Sequence, residues 1–455
     1  MKTLPPEFPD RRVCVMGLGY VGLTLAATMA DVGFDVLGVE IRKDVVDRLT
    51  RGDPHFYEPG LRQLLAKLIS RNRIRVSQHI PGDWKGTIYI VTVGTPLGSD
   101  GRARLDMVEN VSGEIAEHLN EGDMVIMRST VKLGATRSTV VPILNRAGVK
   151  YDIAFCPERT IEGRVLVELR ELPQIVGGAS AGARMRAAQL FSFLTATVVQ
   201  VSDLETAEMI KLIDNTQRDV WFGFANEVAQ MCDAIGVNVM EVVNAGKLGY
   251  ARSNLALPGP VGGPCLEKDS YILAEGLKEF GFEPSITLRA RQVNERQPFE
   301  VADKIRAYTD KVQGFPNAPR ISILGLAFKG RPATDDLRGT MARPILAALA
   351  EAYPAARFGG YDALVDDKII AREFDITSMP TLEDAFEGAH LVVIANNHPA
   401  FGAMPLESLA AAMARPGLIY DFWNNFDSRE LTLPDETGYM ALGSHGLAAL
   451  PGNTA

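Results

Sequence analysis

One cysteine stands in a setting that suits covalent chemistry. Cys265 follows two glycines in the stretch Pro258–Asp269, and Lys268 and Asp269 come within one helical turn after it. Glycine permits backbone angles that other residues resist, and it lets a substrate approach the main chain. We expect a helix to begin at the cysteine, so that the helix dipole and the Lys268 ammonium lower the pKa of the thiol. A buried structural cysteine in a Gly/Pro turn is the alternative that these residues leave open.

A glycine-rich turn near the N-terminus is typical of dinucleotide binding. The strand Arg12–Met16 precedes Gly17-Leu-Gly-Tyr-Val-Gly22, and an apolar helical stretch follows. The glycines allow a tight turn and a close approach to pyrophosphate, which the helix N-terminus receives. A second strand ends in Glu40, whose carboxylate can bind both ribose hydroxyls and so favours NAD over NADP. Arg42 and Lys43 could instead hold a 2′-phosphate, and a phosphate-free turn is the remaining alternative.

Polar residues also follow the ends of three later strands. Thr95, Thr130, Glu158 and Glu162 each come shortly after an apolar run. In an open parallel sheet the carboxyl ends of the strands line the ligand crevice, so these side chains are candidates for cofactor and substrate contacts. Helix caps are the alternative for the threonines, and a solvated acidic pair is the alternative for the glutamates.

Helical spacing dominates the middle of the chain. The pattern predicts one long helix over 204–235, which would suit a spine or a dimer surface, and a further helical region over 271–297. Lys211 and Asn215 stand four residues apart and therefore share one face of the long helix. An exposed polar face is the alternative explanation of this pair.

A second strand–turn–helix unit begins after a polar linker near residues 308–320. The strand Arg320–Gly325 opens it, and later strands alternate with helices, but the full three-glycine fingerprint is missing. Fold analogy suggests that this unit binds a phosphorylated ligand other than the dinucleotide. Lys329 and Arg338 are cations near the expected crevice, with plain surface cations as the alternative. The tail after about Gly443 is expected to fray.

The composition limits the class of protein. A chain of 455 residues is expected to form two or three domains, and its net charge of -9 argues against a general nucleic-acid binder. Only four cysteines occur, none with metal-ligand spacing, which suits a reducing compartment and predicts no metal. The N-terminus has no apolar signal region, and no run is long enough to span a bilayer. We therefore expect a cytoplasmic protein with no membrane partner.

A reactive cysteine beside a nicotinamide site has a specific use. The oxidation of a simple alcohol needs a base and no cysteine, whereas the oxidation of an aldehyde to an acid can proceed through a thiol adduct and a thioester. The residues thus predict an oxidoreductase, and they suggest a four-electron one. A second cofactor-like domain suggests a nucleotide-bearing substrate.

The chain resembles the UDP-glucose/GDP-mannose dehydrogenase family over nearly its whole length. The motifs that carry this resemblance are Gly17-Leu-Gly-Tyr-Val-Gly-Leu23, Ser129-Thr-Val131, Cys156-Pro-Glu158, Lys211 with Asn215, Gly262-Gly-Pro-Cys-Leu-Glu-Lys-Asp269, and Phe328-Lys with Thr334-Asp-Asp-Leu-Arg338. The resemblance implies an α/β fold with two doubly wound Rossmann-like domains joined by a central long-helix dimerisation region. It implies an NAD-binding domain over 1–200, a central region with the catalytic cysteine over 201–310, and a UDP-sugar-binding domain over 311–455. It also implies a homodimer or a higher homo-oligomer that oxidises the sugar C6 hydroxymethyl to a carboxylate and reduces two NAD.

The resemblance also implies a role for each matching residue. In the catalytic set, Cys265 is the nucleophile, Lys211 and Asn215 stabilise oxyanions and orient water, Asp269 works with them, and Glu158 is a candidate base. The implied cofactor contacts are Gly17, Gly19, Tyr20, Val21, Gly22, Glu40, Thr95, Thr130, Glu162, Lys268 and Arg338. The implied substrate contacts are Glu158, Lys211, Arg252, Gly262 and Lys329, with Arg252 reaching the substrate of a partner subunit.

The branch of the family decides the sugar. Cys156-Pro-Glu-Arg159 and the stretch from Arg252 to Gly263 resemble the UDP-N-acetylhexosamine branch, whereas the Lys268–Asp269 pair resembles UDP-glucose enzymes. UDP-N-acetyl-D-mannosamine is the first choice, oxidised to UDP-N-acetyl-D-mannosaminuronate through a thiohemiacetal and a thioester. UDP-N-acetylglucosamine and UDP-glucose follow.

Two other classes of function stay open. One is a catalytically silent protein that binds NAD and a nucleotide sugar. Intact Cys265, Lys211 and Asn215 argue against it, because a dead descendant would be expected to lose at least one. The other is a two-electron alcohol dehydrogenase of the hydroxyacid type, which would not need Cys265. The Cys265→Ser variant separates that class from a four-electron enzyme.

Overall fold

Buried aliphatic strands build two β-sheets in this chain, one in each of two units. We describe a computed structural model, which covers residues 4–444. The first unit comprises Met1–Asn215 and Lys268–Pro284, and the second comprises Thr216–Glu267 and Ser285–Ala455. The tail that the sequence predicts to fray lies, from residue 445 onward, outside the described residues.

The first unit contains an eight-stranded sheet. Its strands are β1 (Arg12–Met16), β2 (Asp35–Val39), β3 (Ile74–Ser77), β4 (Ile88–Val91), β5 (Met124–Met127), β6 (Asp152–Phe155), β7 (Gln174–Gly178) and β8 (Val198–Gln200). They lie in the order β3-β2-β1-β4-β5-β6-β7-β8, and every neighbouring pair is parallel except β6 and β7. The first six strands thus have the order of a dinucleotide-binding fold, which reverses direction between β1 and β4.

Helices cover both faces of this sheet, as its side-chain alternation requires. Along β1, Val13 and Val15 enter one hydrophobic core, whereas Cys14 and Met16 enter the other. The helices are α1 (Tyr20–Val32), α2 (Lys43–Thr50), α3 (Leu61–Ser70), α4 (Asp106–His118), α5 (Val141–Leu144), α6 (Val165–Glu171) and α7 (Ala181–Phe191). A π-helical turn over Thr136–Val140 precedes α5, and a 3₁₀ turn over Asn145–Ala147 follows it.

The longest helix of the described chain is α8 (Leu204–Ile235), and its bounds match the predicted 204–235. The Asp203 carboxylate accepts a hydrogen bond of 2.7 Å from the Thr206 amide, which caps the first turn. The helix begins in the first unit and ends in the second. It therefore carries residues of both units on one continuous element.

The second unit contains a six-stranded, fully parallel sheet. Its strands are β9 (Arg320–Leu324), β10 (Arg357–Tyr361), β11 (Thr377–Ser378), β12 (Leu391–Ile394), β13 (Gly417–Asp421) and β14 (Thr437–Ala441). They lie in the order β11-β10-β9-β12-β13-β14, which repeats the dinucleotide-fold order of the first unit. The order reverses between β9 and β12, so a second ligand crevice is expected at their carboxyl ends.

The remaining helices complete both units. They are α9 (Val239–Lys247), α10 (Gly263–Lys278), α11 (Ser285–Thr309), α12 (Ala342–Ala352), α13 (Asp367–Phe374), α14 (Leu382–Phe386), α15 (Pro399–Gly402) and α16 (Leu406–Ala410). The predicted helical region over 271–297 is therefore two helices, because Gly281 adopts a φ of +70° and Pro284 precedes α11. None of the helices within residues 4–444 is long and apolar enough to cross a membrane. The predicted fold class, with two doubly wound sheets and a long helix between them in the sequence, is confirmed.

Candidate active site

The turn after β1 is shaped for a dinucleotide pyrophosphate. Gly17 has a φ of +90°, and a Cβ on it would lie 2.9 Å from Cγ1 of Val93. A Cβ on Gly22 would overlap the Gly17 carbonyl, whereas one on Gly19 would meet nothing within 4 Å. Gly19 also provides no side-chain cap at the start of α1. The open side of the turn suits phosphate, and the closed side fixes helix against strand.

Glu40 directly follows β2, at the carboxyl end of the strand next to the glycine turn. Its carboxylate accepts hydrogen bonds of 3.1 Å from the amides of Leu18 and Arg42, which hold it at the end of β2. Arg42 and Lys43, the two cations that could hold the 2′-phosphate of NADP, each lie beside a carboxylate. The Arg42 guanidinium lies 3.8 Å from Glu40, and the Lys43 ammonium lies 2.9 Å from Asp47. The residues of this turn fit NAD.

Two of the predicted cofactor residues lie together at the ends of neighbouring strands. The Thr95 hydroxyl donates a hydrogen bond of 2.5 Å to the Thr130 carbonyl, and Thr95 is buried. Tyr20, in the first turn of α1, stacks on Phe56 with ring centroids 3.9 Å apart. Val21 is half-buried beside it. The strand ends and the glycine turn thus belong to the same unit, at the side of the sheet where the strand order reverses.

Glu158 forms a buried ion pair that the sequence does not indicate. Its Oε2 accepts hydrogen bonds of 3.1 Å and 2.6 Å from the Arg128 guanidinium, and its Oε1 accepts from the amides of Arg159 and Thr160. Arg128 also donates to the Cys156 carbonyl at 3.0 Å. Burial opposes ionisation of Glu158, but the Arg128 charge and these hydrogen bonds outweigh it and hold the carboxyl pKa below its usual value.

The loop after β6 is also tied to helix α8. Arg159 donates a hydrogen bond of 3.1 Å to Asp214 and another of 2.7 Å to the Pro173 carbonyl. Asp214 directly precedes Asn215 on α8. Glu162, two residues past Thr160, is half-buried in the same loop. The loop is therefore held at one end by Arg128 and in its middle by α8.

Three of the predicted catalytic residues lie close together in the first unit. Asn215 donates a hydrogen bond of 2.6 Å to Oδ2 of Asp269, and the Lys268 ammonium lies 2.9 Å from Oδ1 of the same carboxylate. Asp269 is 1% exposed. Lys211 is 7% exposed, yet within residues 4–444 its ammonium has neither a hydrogen bond nor an ion pair. A buried cation of this kind is suited to bind an oxygen that becomes negative during a reaction.

Cys265 lies in the first turn of α10, within the second unit. It is half-buried, whereas Cys14, Cys156 and Cys232 are buried, and none of the four forms a disulfide. The helix begins two residues earlier than the predicted start at the cysteine. Four residues along the same helix comes Asp269, on the same helical face.

Residues 258–266 lead into α10 and carry Cys265, and we refer to them as the cysteine-bearing loop. Three glycines let this loop pack closely against neighbours in the second unit. A Cβ on Gly259 would lie 2.6 Å from the Trp423 ring, and a Cβ on Gly263, whose φ is +93°, would lie 2.5 Å from the Phe328 ring. A Cβ on Gly262 would overlap the carbonyl of Gly339. The loop is therefore in van der Waals contact with residues that flank the second ligand crevice, and no side chain separates them.

That second crevice has its own polar frame. Asp362, after β10, accepts hydrogen bonds of 2.7 Å and 3.0 Å from the amides of Leu326 and Ala327. Gly325 has a φ of +90°, and a Cβ on it would overlap the side chain of Asn396, which follows β12. The arrangement parallels that of Glu40 and Gly17 in the first unit. Asp362 and Asn396 were not predicted as site residues from the sequence, because the second unit has no complete glycine fingerprint.

The other predicted contacts lie in the second unit. The Lys329 ammonium lies 5.2 Å from the centroid of the Phe328 ring. Arg338 is exposed and forms an ion pair of 2.7 Å with Asp336. Arg252 is exposed and bonds to the Tyr250 hydroxyl at 3.1 Å. Their roles stay predictions. Among the described residues, no group of three or more His, Cys, Asp or Glu side chains could hold a metal ion.

Comparison with known families finds matches along most of the chain. Three models of the UDP-glucose/GDP-mannose dehydrogenase family match in order: its NAD binding domain over residues 11–195, its central domain over 205–296, and its UDP binding domain over 322–428. Each match falls on the part of the chain where the fold provides the corresponding element. The glycine turn lies in the first match, α8 and Cys265 lie in the second, and the crevice at Gly325 lies in the third.

Individual relatives cover nearly the full length. The chain is 33% identical to a UDP-N-acetyl-D-mannosamine dehydrogenase of Pyrococcus horikoshii, over 95% of this chain and 98% of the relative. It is 30% identical to an NDP-N-acetyl-D-galactosaminuronic acid dehydrogenase of Ralstonia solanacearum, over 89% of this chain and 94% of the relative. Among solved structures, the UDP-D-ManNAc dehydrogenase of Pyrococcus horikoshii superimposes with a TM-score of 0.84 at 31% identity, over 95% and 99% of the two chains.

Proposed function

Because this chain belongs to the UDP-glucose/GDP-mannose dehydrogenase family and is an NAD-dependent nucleotide-sugar dehydrogenase, we propose that it oxidises UDP-N-acetyl-D-mannosamine. The product is UDP-N-acetyl-D-mannosaminuronate, formed in a four-electron oxidation at C6. Relatives named for that sugar at 29–34% identity support this choice. UDP-N-acetylglucosamine and UDP-glucose are the alternatives.

The observation that carries the four-electron reaction is the position of Cys265. It is the one cysteine of the four that is not fully buried, and it lies in the first turn of α10. A thiol placed at a helix N-terminus is favoured as a thiolate, which is the form that attacks carbonyl carbon. A two-electron alcohol dehydrogenase has no use for such a residue.

The proposed sequence of bonds is as follows. The C6 hydroxymethyl loses a proton and a hydride and becomes an aldehyde, whose carbonyl carbon the Cys265 thiolate attacks to form a thiohemiacetal. Loss of a second hydride gives a thioester, and water then displaces the sulfur to release the carboxylate. NAD, when bound, accepts the hydride in each oxidation.

We assign the supporting roles by side-chain chemistry. Lys211, buried and without a protein partner among the described residues, stabilises the negative oxygen on C6. Asn215 orients water, and Asp269 holds the Asn215 amide through their hydrogen bond of 2.6 Å. Glu158 is the candidate base and substrate contact from the family resemblance. Its four hydrogen-bond donors and lowered pKa favour a part in ordering the loop around the substrate.

The binding roles follow the two crevices. For NAD we propose the contacts Gly17, Gly19, Tyr20, Val21, Gly22, Glu40, Thr95, Thr130, Glu162, Lys268 and Arg338. For the UDP-sugar we propose Glu158, Lys211, Arg252, Gly262 and Lys329. The open turn at Gly19 supports the first set. The position of Lys329, five residues past the end of β9, supports its inclusion in the second.

We also propose the three-part division at 1–200, 201–310 and 311–455 and a homodimer built on the central region. The order of the three family matches supports the division. An apolar stripe on α8 supports the dimer: Trp221, Phe224, Met231 and Ile235 are 45–74% exposed at helical spacing. A cytoplasmic location stays a prediction from the sequence.

The test is the amount of NADH formed per mole of limiting sugar nucleotide. UDP-N-acetylmannosamine, UDP-N-acetylglucosamine, UDP-glucose and a UDP-galactose derivative are supplied separately with excess NAD. About two NADH per UDP-N-acetylmannosamine, and slower turnover of the others, is the expected result for a cysteine-mediated four-electron oxidation. One NADH per sugar would overturn the covalent mechanism. NAD binding without any NADH formation would favour the silent binding protein.

A further inference from the structure

The cysteine-bearing loop is held from behind by a guanidinium that no motif indicates. Arg291, on α11, has the largest side chain among those that are fully buried, and its side chain is 1% exposed. Burying an arginine is costly unless its charge and its N–H groups find partners. The partners of Arg291 therefore indicate what the residue is retained for.

Two of those partners flank Cys265. Nη2 of Arg291 donates a hydrogen bond of 3.1 Å to the carbonyl of Val261, before the cysteine. Nη1 donates one of 3.1 Å to the carbonyl of Leu266, directly after it. One planar group thus fixes both ends of the short segment that carries the thiol. The fork geometry of arginine permits this, whereas a lysine ammonium offers a single point of attachment.

A network of buried side chains holds Arg291 in turn. Asp219, on α8, accepts a hydrogen bond of 3.0 Å from Nη1 of Arg291 and one of 2.8 Å from Asn294. Asn226 lies two turns after Asp219 on α8, and its amide donates a hydrogen bond of 2.8 Å to the Asn294 side chain. All four side chains are buried within the second unit.

The same network grips the loop at a third point. Asn226 exchanges two hydrogen bonds with Gly259, accepting from its amide at 2.8 Å and donating to its carbonyl at 3.0 Å. The loop backbone is therefore bound at Gly259, Val261 and Leu266 by side chains of α8 and α11. Since glycine leaves a backbone mobile, this attachment restricts the loop further, in addition to its packing against Trp423 and Phe328.

We propose that Arg291 is a positioning residue for Cys265, holding the loop so that the thiol stays at the start of α10. The inference rests on the proposed function of Cys265 as nucleophile. A displacement of about 1 Å at a reacting atom can reduce a rate about 10²-fold. Loss of the fork therefore affects the chemical step more than the binding of either nucleotide.

The experiment compares Arg291→Lys with a matched control. Arg291→Lys keeps the positive charge beside Asp219 but cannot bridge the two carbonyls. Lys304→Met is the control, because the Lys304–Asp233 ion pair of 2.7 Å also joins α11 to α8 without contacting the loop. Asn226→Ala is a second probe, which detaches Gly259 and removes the Asn226–Asn294 hydrogen bond but keeps the guanidinium of Arg291 and both of its carbonyl acceptors.

Three readouts are measured on the intact enzyme: kcat and KM for NADH formation, melting temperature, and the pH profile of Cys265 alkylation by iodoacetamide. We expect Arg291→Lys to lower kcat about 10²-fold with KM changed by less than about threefold, and to shift the alkylation profile. We expect Asn226→Ala to change kcat and the alkylation profile in the same direction as Arg291→Lys does. Lys304→Met lowers the melting temperature but keeps kcat and the alkylation profile.

Two results would overturn the positioning role. One is a loss of activity in Arg291→Lys that only follows the folded fraction, with the wild-type alkylation profile. The other is an equal loss of kcat in Lys304→Met. Failure of the proposed function itself looks different, because Cys265→Ser would then keep the full rate of NADH formation in the otherwise wild-type enzyme.

Discussion

Cys265 is partly exposed, whereas the other three cysteines are buried, so we expect it to be the most reactive of the four. Burial raises the pKa of Cys156 to about 12, and burial also raises the pKa of Cys14 and Cys232. At pH 8 these three groups stay thiols and are shielded from reagents. We therefore expect iodoacetamide to modify one cysteine per native chain at pH 8, in parallel with the loss of NADH formation.

Peptide mapping by mass spectrometry checks this expectation. Cys265→Ser should take up no label in the native state, and in denaturant it should take up three equivalents, one for each of the other cysteines. Labelling of Cys14, Cys156 or Cys232 before Cys265 would contradict the assignment of Cys265 as the reactive thiol.

The Arg128–Glu158 pair should make a large contribution to stability. Glu158→Gln leaves the Arg128 guanidinium buried without its counterion, so we expect the free energy of unfolding to fall by about 3–5 kcal/mol. The control is Asp214→Asn, because the Arg159–Asp214 pair is partly exposed and should contribute no more than about 1 kcal/mol. Urea denaturation at pH 7 measures both, and equal losses would contradict the role of burial.

The same pair should also respond to acid. The folded-state pKa of Glu158 lies below its usual value of 4.5, so its stabilising effect is complete above that value. The effect is lost as the pH falls through the lower, folded-state pKa. We therefore expect the difference in stability between the wild type and Glu158→Gln to shrink as the pH falls below 4.5. Denaturation curves between pH 7 and pH 3 check the sign, and a growing difference would contradict it.

Single residues were predictable from sequence where local order fixes their environment. The glycine turn and Cys265 belong to short motifs whose residues are neighbours in the chain, and Glu40 directly follows the next strand. Arg128 was not predictable in this way, because its partners Glu158 and Gln174 lie 30 and 46 residues away. The donors that surround a buried charge become visible only when the strands are placed side by side.

At the scale of elements, the loop before α10 should tolerate no added side chain. The Cβ of Gly259→Ala would lie 2.6–2.8 Å from the Trp423 ring, and such overpacking costs about 1–3 kcal/mol. Trp423→Leu removes the obstructing ring. We therefore expect the double variant to be less destabilised than the sum of the two single variants, as measured by a denaturation cycle together with NADH formation.

Gly263 provides the contrast within the same loop. Its φ of +93° strains any other residue by about 1–2 kcal/mol, whatever the space around it. Phe328→Leu should therefore restore only part of the stability that Gly263→Ala loses. Complete recovery in this second cycle would contradict the backbone argument.

Element boundaries were predictable where one periodicity runs without interruption. Helix α8 has apolar residues at helical spacing and no proline, and its observed bounds equal the predicted ones. The strands β3, β7, β8, β11 and β14 were not predicted. The shortest of them, β8 and β11, have three and two residues, which give too little alternation to indicate a strand. The break between α10 and α11 occurs at Gly281 and Pro284. The prediction of one helical region over 271–297 missed it, because the helical pattern on both sides was given more weight than these two residues.

At the scale of the whole molecule, each nucleotide should stabilise its own unit. At 100 times its dissociation constant, a ligand adds about 2.7 kcal/mol to the stability of the state that binds it. We expect NAD to slow hydrogen exchange at Gly17–Gly22 and UDP to slow it at Gly325–Lys329, as mass spectrometry can measure. Gly17→Ala should remove only the first effect and Gly325→Ala only the second, since each lies at φ +90° in its own crevice. Loss of both effects in either variant would contradict separate sites.

The exposed apolar stripe on α8 bears on the oligomeric state of the whole molecule. Phe224 and Met231 are 55% and 51% exposed in the single chain, seven residues apart and therefore on one face. Water contact with such a stripe is unfavourable, and a second copy of the same helix would cover it. We expect the wild type to have the mass of a dimer in light scattering and Phe224→Glu with Met231→Glu to shift it toward the monomer. Met185→Glu is the control, because Met185 is 60% exposed on α7, a different helix from the one that carries the stripe. A wild-type monomer, or a dimer that survives both charges, would contradict association through α8.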